Sequence, residues 1–456
     1  MHTEQGNCNG LSQNVTSGIL GIEIYFPQTV VSLQELEKFD GVSQGKYTIG
    51  LGQENMSFCG DREDVISIAM TVLDSLVAKY GISYSDIGRL EVGTETIIDK
   101  SKSVKTALMQ LFESCGNTEV EGLDTTNACY GGTQAFFNTL NWLESPYWNG
   151  KYGVVVMADI AVYAPGPARP TGGCGAVALL LGKGSQVKLV PEVPLRATHM
   201  ENTYDFFKPN LSSEYPTVDG AKTISCYLRA LDTCYGRFTR RAEELLKQEK
   251  FSLQDIDYIV FHAPFHKMVQ KSFARLLFND FRRDPDNKLF ENVQAFRNIS
   301  MEASYSDKDL EKAFMSLSKS LYEKKCAPGT FLARNIGNSY TASLYGNLAC
   351  LISEKGNELL NKRIVLFSYG SGLASSMFSL KVVGSVEDIA KKLYLRERLS
   401  SRIWMNPEDF TKTLQLREER YGKLNYSPLH SIDSLLPGTF YLEQVDSLGC
   451  RKYNRK

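Results

Sequence analysis

The chain has 456 residues, of which 43% are hydrophobic and 23% charged, with 51 Lys and Arg against 52 Asp and Glu. This ordinary globular usage excludes disorder and fibrous repeats. A net charge of −1 argues against a protein that neutralises many nucleic-acid phosphates. Mean hydropathy is −0.24, and no apolar run reaches the roughly 18 residues of a membrane span. A chain of this length buries about three quarters of its unfolded surface, so it needs no disulfide or metal staple. Its ten cysteines are scattered without a C-x-x-C pair, and there are five histidines, so zinc-type spacing is absent. Scattered cysteines of this kind predict reduced thiols and a cytoplasmic location. Residues 1–17 are polar and read as a disordered tail without secretory or mitochondrial character.

In chain order, GILGIEIYFP from Gly18 alternates apolar side chains and predicts a strand. Val65–Tyr80 carries apolar residues at three- and four-residue steps, the signature of a helix. Residues 86–97 predict a buried strand running into a Gly-Thr turn, followed by a helix near 103–114. TTNACYGG then leads into an amphipathic helix with Phe136, Leu140 and Leu143, and 152–159 and 175–182 predict central strands. The second half repeats this order in 255–265, 335–352, 362–370 and 375–382, which predicts a duplicated α/β fold. The two units are expected over 18–222 and 223–456. Between the repeats, 183–223 holds Tyr204, Phe206, Phe207 and Tyr215 and predicts an insertion covering a site. A charged stretch over 279–326 predicts a solvated helical surface.

Four residues carry candidate chemistry. Cys129 lies in N-A-C-Y-G-G, at a turn into a helix, where the helix N-terminus can depress a thiol pKa and Gly131 and Gly132 allow close backbone approach. His262 ends an apolar strand in F-H-A-P-F-H. Asn338, in N-I-G-N-S-Y-T, falls in the segment that repeats the Cys129 segment. Glu95, in V-G-T-E-T, follows a buried strand, where a partly dry carboxyl titrates nearer neutrality. Each alone also fits a structural role: a buried thiol, a core histidine, an exposed loop carboxylate. Together Cys, His and Asn at equivalent turns suit thioester chemistry.

VGTETIIDKSKSVK, DTTNACYGGT, GPARPTGG, GKYTIGLGQ, FHAPFHKMVQKS, NIGNSYT and SYGSG together resemble the eukaryotic 3-hydroxy-3-methylglutaryl-CoA (HMG-CoA) synthases, with similarity from about Gly18 to Lys456. The resemblance implies a thiolase-like fold, a duplicated five-layered αβαβα unit, cofactor-free and metal-free, usually a homodimer, with no nucleic-acid or membrane partner. It implies a ping-pong condensation of acetyl-CoA with acetoacetyl-CoA in the mevalonate pathway. Cys129 would match the acetylated nucleophile, Glu95 the general acid/base, His262 the hydrogen-bonding partner of the acetoacetyl-CoA carbonyl, and Asn338 an orienting residue. Tyr130, Asp159, Tyr163, Asp205 and Phe206 fall in segments that would shape the substrate pocket. Thr171 and Ser371 would meet the acyl chain, and Lys267 and Lys271, four apart on a helix, the CoA phosphates. Pro167 departs from the asparagine of the animal enzymes and supplies no donor for CoA, while Cys174 in G-G-C-G-A reads as core packing.

Two other enzyme readings stand beside this one. A thiolase would need a second cysteine in the glycine-rich turn that here reads SYGSGLASS, and a decarboxylating ketoacyl synthase has no need of Glu95. A catalytically inactive binding protein of the same fold would have no need of Cys129, Glu95 or His262.

Overall fold

The computed structural model describes residues 16–456. The expected tail lies outside the described residues up to residue 15, and Ser17 already opens the first strand. Nine strands form one mixed sheet: β1 (Ser17–Tyr25), β2 (Ile87–Gly93), β3 (Asp124–Thr125), β4 (Tyr152–Ala161), β5 (Gly173–Lys183), β6 (Leu189–Met200), β7 (Tyr258–Phe261), β8 (Arg363–Gly370) and β9 (Ala374–Val382). Their order is β7-β8-β9-β6-β1-β5-β4-β2-β3. The duplication is visible in the pairing. On one side β1, β5 and β4 run antiparallel to one another and β2 joins parallel to β4. On the other side β6, β9 and β8 run antiparallel and β7 joins parallel to β8. The two sets meet where Ile19 of β1 pairs with Leu189 of β6.

The central strands are apolar without interruption because both faces are covered. In β4, Val155 and Met157 enter one core while Val154, Val156 and Ala158 enter another. The first core is shared by both halves. It surrounds two helices, α2 (Gly131–Glu144) and α5 (Ser343–Lys355), with Phe136 6.1 Å from Phe378 and 5.8 Å from Tyr345. Outside lie α1 (Val65–Tyr80) over the first half and α3 (Gly220–Leu246) and α4 (His266–Arg283) over the second. With the two halves of the continuous sheet taken as separate layers, the order helix, half-sheet, helix pair, half-sheet, helix is the five-layered αβαβα arrangement.

α1 spans the predicted residues because both its ends are marked. Asp64 and Ser67 form a reciprocal capping box, and Gly81 closes the helix at φ 63°. The helix expected over 103–114 is one short α turn, Val104–Leu108, continued as 3₁₀ helix over Met109–Cys115. The segment 183–223 departs further from expectation. Its first part is β6, a central strand, and only the part after Met200 lies over the site. The charged stretch over 279–326 contains Lys308–Lys325, whose Leu310 and Phe314 join the third core while Lys308, Lys312, Lys319 and Lys324 are exposed and Lys325 donates to the carbonyls of Leu253 and Gln254.

Phe136→Ala opens a cavity in the layer shared by both halves and is expected to cost about 3–5 kcal/mol. Chemical denaturation, followed in both halves, checks it.

Candidate active site

Glu95 follows the end of β2, and Cys129 precedes α2. These segments approach closely because Gly93 has no side chain: a Cβ there would stand 2.3 Å from the Gly132 Cα. Cys129 Sγ lies 3.5 Å from Glu95 Oε2. Ala128, at φ 43°, turns the backbone sharply to present the thiol. From the other half, the loop after β8 closes on the same turn. A Cβ at Gly370 would stand 2.5 Å from Asn127 O and from Tyr130 N, and Asn127 Nδ2 donates to Ser371 O at 3.3 Å.

Beneath this pair lies Asp159, at the end of β4 and 0% exposed. Its Oδ1 accepts from Thr94 Oγ1 (2.9 Å), Glu95 N (2.9 Å), Thr96 N (3.0 Å) and Thr96 Oγ1 (2.8 Å). Its Oδ2 accepts from Thr341 N (3.0 Å) and the Thr341 hydroxyl. Asp159 therefore does not offer a ligand a free oxygen; it ties the Glu95 loop to the Asn338 loop of the second half. Asn338 is buried, donates its N–H to Gly172 O at 3.0 Å, and accepts from Tyr340 N at 2.9 Å.

An aromatic wall completes the near side. Tyr163, Phe206 and Tyr340 stand edge to face, with centroids 5.9–6.5 Å apart, and Cys129 packs against this cluster. Tyr340 holds φ 44°. Lys208 extends from the covering segment over the Tyr340 ring at 4.8 Å, and its Nζ lies 2.9 Å from Glu95 Oε1. Lys208 and Tyr340 escaped the sequence reading. The signal available for Lys208 was a lone cation among the aromatics of YDFFKP.

His262 caps β7, with its N–H donating to Phe367 O at 2.8 Å. It is 2% exposed, and its Nδ1 is buried without a partner. Tyr227 lies beside the imidazole, donates its hydroxyl to His262 O at 2.8 Å, and packs on Tyr369 at 4.8 Å. Tyr369 leads into Gly370, so a chain of packed residues connects His262 to the Cys129 turn.

The remaining candidates divide. Asp205 is buried and accepts from the Tyr369 hydroxyl (2.9 Å) and Gly372 N (3.0 Å), which pins the covering segment to the β8 loop. The Tyr130 hydroxyl meets Ser376 Oγ at 2.8 Å inside the sheet. The Thr171 hydroxyl donates to Ala168 O at 2.7 Å in its own turn. Lys271 is paired with Glu311 at 3.1 Å, while Lys267 sits beside it at the start of α4, with its N–H donating to Leu51 O at 2.8 Å. Cys174 is buried 2.8 Å from Cys59. Among the described residues no cluster of three or more His, Cys, Asp or Glu could hold a metal ion, and no helix is long and apolar enough to cross a membrane.

Burial raises the Cys129 thiol well above its ordinary value, and the Glu95 and Asp159 carboxylates add to the rise. This reverses the expectation from the helix N-terminus. A helix terminus contributes about 0.3–2 kcal/mol, less than desolvation beside a carboxylate 3.5 Å away. Burial likewise raises Glu95, with Lys208 pulling the other way and Asp159 adding to the rise. Burial lowers His262 to about 3, so the imidazole is neutral at physiological pH.

A thiol beside a raised carboxyl against an aromatic wall, with a neutral histidine linked to it through packed residues, can form and cleave thioesters with proton exchange at carbon. The family comparisons agree. The family models described as hydroxymethylglutaryl-coenzyme A synthase N terminal and C terminal match residues 12–186 and 189–456. The chain belongs to the hydroxymethylglutaryl-CoA synthase family. Hydroxymethylglutaryl-CoA synthase A of Dictyostelium discoideum is 52% identical, over 96% of this chain and 90% of the relative. The human cytoplasmic synthase is 50% identical over 96% and 87%, and the human mitochondrial synthase 50% over 96% and 89%. A solved structure of MvaS in complex with 3-hydroxy-3-methylglutaryl coenzyme A superposes with a TM-score of 0.82 at 30% identity, covering 97% of this chain and all of that one. A family member is an acyltransferase that takes CoA thioesters as substrates, without a cofactor, in the mevalonate route to isoprenoids and sterols.

Asp159→Ala removes the acceptor shared by six buried donors, of which the Thr341 hydroxyl keeps Gly93 O and Thr96 N keeps Thr94 Oγ1, at about 1–3 kcal/mol for each group left unsatisfied. The expected outcome is a markedly lower unfolding temperature, together with loss of condensation even where folded protein is recovered.

Proposed function

We propose that the chain condenses acetyl-CoA with acetoacetyl-CoA and water to HMG-CoA and CoA through an acetyl-Cys129 enzyme, with Glu95, His262 and Asn338 completing the machinery. The observation that carries this reading is the Cys129 Sγ–Glu95 Oε2 approach of 3.5 Å inside the aromatic wall.

In the first half-reaction the Cys129 sulfur attacks the acetyl carbonyl, the thiol proton passes to a base, and CoA leaves as the thiol. Glu95 is the carboxylate nearest that thiol. In the second half-reaction Glu95 removes a proton from the acetyl methyl, and the resulting carbon nucleophile adds to the C3 carbonyl of acetoacetyl-CoA. The proton held by Glu95 returns to the new alkoxide, which gives the tertiary alcohol and restores the carboxylate. A carboxyl raised by burial suits both directions of this transfer.

His262, kept neutral by burial, gives the acceptor carbonyl a hydrogen bond without bringing a cation beside Glu95. Asn338, pinned by Gly172 and next to Tyr340, orients the enzyme-bound acyl group. Water then hydrolyses the Cys129 thioester, releasing the carboxylate and regenerating the thiol. Lys267 and Lys271, at the start of α4, receive the CoA phosphates, which requires Lys271 to give up Glu311. Tyr163, Phe206, Thr171 and Ser371 line the acyl path, and Tyr130, Asp159 and Asp205 support it from behind.

The family resemblance extends this reading to a homodimer. The cytoplasmic assignment rests on the thiols, all free among the described residues, and on the cytoplasmic relative.

Incubation with both thioesters, followed by mass analysis, is expected to yield HMG-CoA, and Cys129→Ser is expected to form neither acetyl-enzyme nor product. Glu95→Ala is expected to accept the acetyl group yet lose condensation by about 10²–10⁴-fold. Acetoacetyl-CoA cleavage without HMG-CoA would instead indicate a thiolase. Sedimentation is expected to give twice the chain mass; a monomer would overturn the dimer.

A further inference from the structure

Among the described residues Lys208 is the one charged group that contacts the Glu95 carboxylate directly, and it is built into the site from several sides. Its side chain is 22% exposed and that of Glu95 is 5%. The ammonium is 2.9 Å from Glu95 Oε1, 4.8 Å from the Tyr340 ring centre and 5.7 Å from that of Phe206. A cation over two aromatic faces is held by the ring quadrupoles as well as by the carboxylate. The backbone that carries it is fixed by Asp205, whose two oxygens are bonded to Tyr369 and Gly372. The ammonium therefore has little freedom to leave.

We propose that Lys208 is the positioning residue for Glu95: its ammonium holds the carboxylate ionised in the resting enzyme and fixes Oε1, so that Oε2 faces the Cys129 acyl group. The inference rests on the reading of Glu95 as the acid/base. The groups acting on Glu95 come from every neighbouring element. Asp159 at the end of β4 adds negative charge from below, the Cys129 thiol donates from the α2 turn, and Tyr163 and Tyr340 stand neutral in the wall. Tyr421, from the C-terminal region, donates its hydroxyl to Ile97 O at 3.2 Å and feels the Lys208 charge. Of these only Lys208 is cationic, so it alone opposes the burial that favours the protonated acid.

The sign follows. Condensation needs ionised Glu95, so its rate falls as pH drops through the Glu95 pKa. Removing the cation makes the carboxyl harder to ionise and moves that acid limb to higher pH. An opposite charge at this range is worth about 1–3 pH units.

The test compares the wild-type chain with Lys208→Met and Lys208→Arg in two measurements. The first is the pH profile of single-turnover condensation from acetylated enzyme. The second is an infrared pH titration of the protonated carboxyl band that disappears in Glu95→Gln, which needs no turnover. Expected are an acid limb and a carboxyl midpoint both about 1–3 pH units higher in Lys208→Met and restored toward wild type in Lys208→Arg. An unchanged midpoint in Lys208→Met would overturn the proposal. An equal displacement in Lys208→Arg would overturn it too, since packing rather than charge would then be responsible. A wild-type chain that forms no HMG-CoA would refute the functional reading, and the infrared titration would still decide the role of Lys208.

Discussion

The site depends on one buried carboxylate that does no chemistry. Asp159 gathers six donors from two loops that belong to different halves of the chain. An isolated carboxylate in this position would be prohibitively costly, and hydrogen bonds to both oxygens offset that cost. The arrangement transmits geometry. Glu95 N is one of the donors, and Thr341 is three residues from Asn338, so the proposed acid/base and the proposed orienting amide are registered against the same atom pair. Duplication brings equivalent turns together at one end of the sheet's two halves, and Asp159 locks them.

The same economy governs the charges. Glu95, Cys129 and His262 all sit where burial disfavours their charged forms. A thiol held protonated beside a carboxylate is a poor spontaneous nucleophile, which guards it from adventitious alkylation or oxidation. Activation must then come with the substrate, as CoA binding expels water and a base takes the proton. The helix N-terminus at α2 contributes, but its field is smaller than the effects of desolvation and of the adjacent negative charge. A neutral histidine fits this scheme, because a second fixed cation near Glu95 would stabilise its carboxylate further and weaken it as a base toward the acetyl methyl.

Much of this was legible in the chain before folding. β1, β4, β5 and α1 stand close to where periodicity put them, because strands buried on both faces must be apolar throughout and α1 carries its own caps. β6 was hidden by its composition. Pro191, Glu192, Pro194 and Arg196 read as an irregular insertion, yet the strand pairs with β9 on both sides of a register shift between Arg196 and Pro191, where proline is tolerated. Seven motifs in order, that around Cys129 among them, carried the resemblance, but motifs do not report three-dimensional neighbours. Asp159 and Asp205 look like pocket acids in sequence and prove to be internal ties. Lys208 is 113 residues from Glu95 along the chain, and only the fold brings the two together.

The two oxygens of Glu95 also impose an order on the reaction. In the resting site Oε1 is taken by Lys208 and Oε2 by the Cys129 S–H. Acetylation converts that S–H into a thioester, which has no proton to donate. The partner of Oε2 is thereby lost, while Oε1 stays fixed. The oxygen released is the one facing the sulfur, and hence the acetyl group now attached to it. In the proposed cycle a base free of the thiol and next to the methyl exists only after the first half-reaction, which places deprotonation after acyl transfer and ties the ping-pong order to the hydrogen bonds of a single carboxylate.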